Sequence, residues 1–184
     1  MIYVYTTGDG KPYTAEDGTL LVVGTPPLQE LITDRVQADV DSIRSLTAAI
    51  KSGTATEEQM SQYLNVLQKG AYTYIDLNRV ENAVQFIADR LKEYGYLTHL
   101  PVTQVWEVQD KPNEADFARY FSNVARLRNA VAVWNTTPEV PNSIKGFDVN
   151  KANALEQVLV DLDLVLNRMA DAWFYSGDLY SAEV

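Results

Sequence analysis

The sequence predicts a mainly α-helical protein, a bundle of four to five helices carrying a small β-rich N-terminal arm. Three observations lead there. From Thr33 onward, apolar residues recur at alternating spacings of three and four, the period of one helix face. Those stretches begin at capping residues and several stop at glycine. Before Pro26-Pro27 the character is different: short β-branched and aromatic runs are separated by turn residues. The 184 residues, 46% hydrophobic and 22% charged, suffice for a domain with a real core and argue against wholesale disorder. We divide the chain into an extended or β arm over 1–26 and a helical bundle domain over 27–184.

In the arm, Ile2 to Tyr5 and Leu20 to Val23 favour strands, and Gly8-Asp9-Gly10, Pro12 and Gly18 favour the loop between them. An isolated two-stranded hairpin is marginal. The arm is therefore expected either to pack on the helical body or to lend strands to a neighbouring chain.

The first helix is expected from Thr33, a cap with Asp34 in the first turn, through Val36, Val40, Ile43, Leu46 and Ile50 to Gly53. A short helix follows, opened by a Thr56/Gln59 capping box, with Met60, Tyr63, Leu64 and Leu67 on its buried side, and closed by Gly70. The clearest segment spans 74–94. Thr73 caps it with Asp76, and Leu77, Val80, Val84, Ile87, Leu91 and Tyr94 form one stripe. Asn78, Arg79, Asn82, Gln85, Asp89 and Lys92 occupy the face that suits water, and Gly95 stops the helix. Residues 102–108, VTQVWEV, read as a short strand or an extended segment whose Trp106 plugs the core. A helix over 114–135 is capped by Asn113 with Asp116, carries Phe117, Tyr120, Phe121, Val124, Leu127, Val131 and Trp134, and ends before Pro138 and Pro141. The last helix spans 149–175, roughly 40 Å at 1.5 Å per residue. Its core face holds Leu155, Val158, Leu159, Leu162, Val165, Leu166, Met169 and Trp173, with Gly177 beyond. Of these, Val84, Ile87, Leu91, Val124, Leu162 and Met169 are expected in one shared core.

Two helix starts echo each other: Gly70-Ala71-Tyr72 before Leu77-Asn78-Arg79-Val80-Glu81, and Gly146-Phe147-Asp148 before Ala152-Asn153-Ala154-Leu155-Glu156. Either ordinary helix-start preferences converge here, or both helices use Asn and Glu to bond loop backbone.

The formal charge of −10 argues against a nucleic-acid partner, which requires clustered Lys and Arg. There is no cysteine, so disulfides and thiolate chemistry are excluded. The start MIYVYTTGDG lacks the basic and apolar regions of a signal peptide, and no 18-residue apolar run predicts a membrane span. The single histidine, His99, precedes a leucine and a proline and reads as a loop residue. Asp39 and Asp41, and Asp161 and Asp163, project about 200° apart on a helix, so each pair reads as a solvated face rather than a carboxylate site. Gly8-Asp9-Gly10 lacks the other ligands of an EF-hand loop. No P-loop, Rossmann glycine pattern, GxSxG or HExxH is present. No catalytic, cofactor-binding or metal-binding residue is therefore nominated. The eleven tyrosines and three tryptophans suit a core and subunit contacts, or a carbohydrate-binding surface.

Ile32-Thr33-Asp34-Arg35 with Gln37-Ala38-Asp39-Val40, Lys69-Gly70-Ala71-Tyr72, Asp76-Leu77-Asn78-Arg79-Val80, Trp106, Arg126-Leu127-Arg128, and Asn153 to Glu156 with Ser176-Gly177 form a block of motifs over about 30–180. This block resembles a virion structural protein family, tail- or baseplate-associated, of tailed phages and prophages of Firmicutes. The resemblance implies a non-enzymatic structural or adaptor protein of the virion, made in the host cytoplasm. It would act through oligomerisation and contacts with other virion proteins, without membrane insertion. The arm over 1–26 lies outside the resemblance. A host-surface carbohydrate-binding module is the alternative.

Overall fold

The computed structural model describes the backbone of residues 27–181 and of two short strands, and the side chains of 28–63 and 69–172. The protein is helical, with five α-helices among the described residues: α1 (Gln37–Lys51), α2 (Glu57–Gly70), α3 (Tyr74–Glu93), α4 (Glu114–Arg128) and α5 (Val149–Ser181). Ahead of α1, Pro27–Glu30 forms a 3₁₀ turn against α3 and α5. Of the arm expected over 1–26, an antiparallel ladder of β1 (Tyr3–Val4) with β2 (Val22–Val23) is described, pairing Tyr3 with Val23 and Val4 with Val22. The rest of that arm lies outside the described residues.

The core sits between α3, α4 and α5. Leu77, Val80, Val84, Ile87 and Leu91 of α3 meet Tyr120, Phe121, Val124 and Leu127 of α4. Leu155, Val158, Leu159, Leu162 and Leu166 of α5 complete the layer. The stripes expected on α3, α4 and α5 are therefore the packed faces, with Met169 half-buried at the margin of the core, whereas Val36 and Met60, expected on the stripes of the first two helices, are 53% and 54% exposed. The expected core residues Leu64, Leu67 and Trp173 fall outside the described side chains. Helices α1 and α2 form an antiparallel hairpin in which Ile43 and Leu46, buried among the described residues, lie outside the main cluster. Their close approach requires Gly70. A Cβ there would stand 2.3 Å from both the Asp39 carbonyl oxygen and Ile43 Cγ1.

Local chemistry accounts for most helix ends. Thr73 and Asn113 accept from the first-turn amides, and Asp76 and Asp116 reach back to the cap amides. Thr56 and Gln59 exchange the same pair of bonds. Helix α3 ends in a Schellman motif, with Tyr96 N–H bonded to Leu91 O, Gly95 N–H bonded to Lys92 O, and Gly95 at φ 78°.

Three boundaries differ from expectation. Helix α1 starts at Gln37 rather than at Thr33, because tertiary hydrogen bonds hold residues 32–35 outside it; Asp39 caps the Val36 N–H at 2.8 Å. Helix α4 stops at Arg128 instead of continuing to 135. Beyond it Val131 and Val133, spaced by two, pack against the core from non-helical backbone. Helix α5 runs through Gly177 to Ser181, since a glycine costs a helix only about 1 kcal/mol and does not by itself end one. At 33 residues it is about 50 Å long. The segment 101–107 pairs with no strand among the described residues, and Trp106 in it is buried at 4% exposure.

Candidate functional site

Four charged side chains meet where the 31–36 segment crosses α3 and α5. Arg35, Asp76, Arg79 and Glu156 are all between 0 and 6% exposed, and their formal charges cancel. Glu156 Oε1 accepts from Arg35 Nη2 at 2.7 Å and Arg79 Nη2 at 3.1 Å. Its Oε2 accepts from Arg79 Nε at 3.1 Å and from the Ile32 backbone N–H at 2.6 Å. Asp76 Oδ1 accepts from Arg35 at 3.0 Å and Arg79 at 2.5 Å, while its Oδ2 caps α3 through the Thr73 N–H. Arg35 also donates to the Ile32 carbonyl and lies 5.6 Å from the Tyr72 ring centroid. Burial works against the charged form of Arg79, but Glu156 and Asp76 outweigh it and its pKa is raised.

Sequence periodicity put Arg79 on the water-facing side of α3; instead it is buried. The chain N-terminal to α1 covers the first turns of that side, over Arg79, while Asn82, Asp89 and Lys92 farther along it are exposed as expected. The signal that could have pointed here is the acidic residue at 156 in the first turns of α5, between apolar neighbours Leu155 and Val158.

The echo between α3 and α5 has a structural meaning: both helices use Asn and Glu, three residues apart, to bond loop backbone. Asn153 accepts from Arg35 N–H at 3.1 Å and donates to Arg35 C=O at 2.8 Å. Asn78 makes the same two bonds to Trp106, each 2.8 Å. One turn on, Glu156 takes the arginines described above, and Glu81 takes Arg119 at 2.7 Å. Each loop is thereby held as a neighbouring strand would hold it, but by side chains. Burial pushes the Glu81 carboxyl up, opposed chiefly by Arg119 and further by the Trp106 indole and the Gln104 backbone, which face it.

Beside the network, the Tyr72 and Tyr120 hydroxyls bond at 2.7 Å. Burial raises both pKa values, helped for Tyr72 by the nearby Glu156 charge. Phe147 edges onto Tyr72 at 5.0 Å and stacks on Phe121 at 5.8 Å. A cleft lined by Tyr63, Tyr72, Tyr74, Trp106 and Phe117 opens alongside.

The residues weighed from sequence are not gathered into one place. His99 is exposed, and its carbonyl accepts from Arg126. Asp41 is solvated as expected, whereas Asp39 is half-buried and serves as the α1 cap. Asp161 and Asp163 are not a solvated face. Asp161 is buried and accepts from Thr137 at 2.7 Å, and Asp163 pairs with Arg90. Among the described residues, no group of three His, Cys, Asp or Glu side chains is placed to hold a metal ion. No described helix is long and apolar enough to cross a membrane. No family model, curated protein or solved structure matches this chain.

Proposed function

We propose that this chain is a structural or adaptor protein of a phage particle, in the tail or baseplate, acting through protein contacts and self-association rather than catalysis. The observation that carries this reading is the use to which its buried charge is put. The arginines and carboxylates in the interior are bonded to one another and to loop backbone, which holds segments 31–36 and 102–106 rigidly on the bundle. Rigid segments with fixed backbone suit a part that must present the same surface to several neighbours, where weak contacts multiply through symmetry. The motif block over about 30–180 supports the virion assignment. The direct test is mass spectrometry of particles purified from the phage or induced lysogen that encodes the chain. Stoichiometric copies in the tail fraction are expected; absence from assembled particles refutes the proposal.

The aromatic cleft beside Tyr72 favours a second reading, a module that binds host-surface glycans, because tyrosine and tryptophan faces stack on sugar rings. A monomer in solution that binds cell-wall polysaccharide through Tyr74 supports it. A stable oligomer without such binding supports the first.

A further inference from the structure

The segment 102–106 has the hydrogen-bonding pattern of a strand with one edge already filled and the other open, and a turn at 108–109 ends it. Its even-numbered residues turn their backbone inward. Val102 C=O accepts from Arg119 at 2.8 Å and from Asn123 at 2.9 Å, Trp106 N–H and C=O are both taken by Asn78, and the Gln104 backbone faces Glu81. This two-residue alternation is that of extended backbone. The two residues between them are bare: among the described residues no hydrogen bond reaches the backbone of Thr103 or Val105, and the pattern ends at Glu107, whose N–H and C=O are both taken by Asp110. Along the same segment Val102 and Val105 are 74% and 81% exposed, and Val108 in the turn just beyond is 77% exposed, the three most exposed large apolar residues among those described. Trp106, buried from the other side, keeps the segment from drifting.

We propose that 102–106 is a docking edge for strand addition, and that its occupant is the β ribbon of the N-terminal arm of a second copy of this chain. The proposal rests on the self-association in the reading above and names the surface that performs it. The occupant follows from three observations. An open edge flanked by valines selects an extended β-branched strand. This chain carries such strands ahead of its helices in sequence, in β1 and β2, which pair with each other; a two-stranded ribbon keeps an outer edge on each strand. The ribbon is tethered at the 3₁₀ turn on α3 and α5, and prolines at 26 and 27 disfavour a reversal at the tether, because a residue before proline is restricted to extended backbone. The ribbon then takes the matching edge of a neighbour, and repetition of the exchange closes a ring or extends a row.

The absence of native cysteine makes the test clean. Two full-length preparations, one carrying Val105→Cys and a size-tagged one carrying Val4→Cys or Val22→Cys, are mixed and mildly oxidised. Because the two thiols lie on different chains, a disulfide-linked heterodimer reports docking between copies. We expect it in clear excess over a control pair in which Leu164→Cys, on the exposed side of α5, replaces Val105→Cys. Cross-linking that occurs only when both cysteines share one chain overturns the proposal by showing docking on the chain's own body; cross-linking no greater than the control overturns it outright. Val105→Pro provides a second measurement. The side chain is exposed and its N–H has no partner among the described residues, so helical content and thermal stability should hold. Removal of a pairing donor should weaken self-association by at least about tenfold in sedimentation. Unchanged association refutes the edge. All these readings use the purified chain, so they fail independently of whether the chain is found in particles.

Discussion

Glu156→Gln is the sharpest perturbation of the fold, because it changes charge without changing shape. In the native protein the two Glu156 oxygens accept four hydrogen bonds, three from arginines and one from the Ile32 N–H. A glutamine keeps one oxygen. Its NH₂ group faces two donors and can accept from neither, and the buried site, neutral before, is left with one uncompensated positive charge. Losing two charge-assisted bonds corresponds to about 3–6 kcal/mol, and breaking one side of a buried ion pair to about 3–5 kcal/mol; these are two views of one loss, so we expect about 3–5 kcal/mol. Arg79→Met leaves the opposite imbalance and a similar cost. The double variant restores neutrality through Arg35 and Asp76, so its cost should fall short of the sum of the singles by at least about 1 kcal/mol. Urea unfolding followed by far-ultraviolet circular dichroism measures all three. Amide hydrogen exchange at Ile32 and Arg35, whose N–H groups end on Glu156 and Asn153, should accelerate in Glu156→Gln before global unfolding does. A cost under about 1 kcal/mol, or strict additivity, refutes the view that these charges act as one neutral unit.

The core makes a parallel prediction: Ile87→Ala and Leu162→Ala, both at 0% exposure, should each cost about 2–5 kcal/mol by the same unfolding assay, and a change under about 0.5 kcal/mol at both would show the packed faces to be misassigned. Gly70→Ala should destabilise, although alanine normally favours a helix by about 1 kcal/mol over glycine, because its Cβ would meet the Asp39 carbonyl oxygen and Ile43 at 2.3 Å; a stabilised variant would refute the close α1–α2 approach. Tyr72 and Tyr120 have folded-state pKa values raised above the ordinary 10.0, so the stability they contribute is full below pH 10 and is lost as pH rises beyond it. Ultraviolet titration should therefore show these two hydroxyls ionising only together with alkaline unfolding, and early ionisation in the folded protein would contradict their burial.

What the sequence determined by itself is local. A cap acts on amides two or three residues away and a stop on the preceding turn, so Thr73 with Asp76, Asn113 with Asp116, and Gly95 were legible as the ends of α3 and α4. The spacing of Val84, Ile87, Leu91, Val124 and Leu162 likewise named the packed faces, because helical period converts directly into direction. Trp106 could be assigned to the core since so large an apolar ring has few other places to go. The tertiary structure decided what lies across from each face. Arg35, Asp76, Arg79 and Glu156 are joined over separations of up to 121 residues, and no spacing rule reaches that far. Arg79 stands on a face that the pattern assigns to water, and it is buried because residues 31–36 lie over it. The same tertiary bonds hold those residues out of α1, against the capping preference of Thr33. Periodicity reports which side of a helix is polar, but whether water or another charged side chain meets that side depends on where distant segments come to rest.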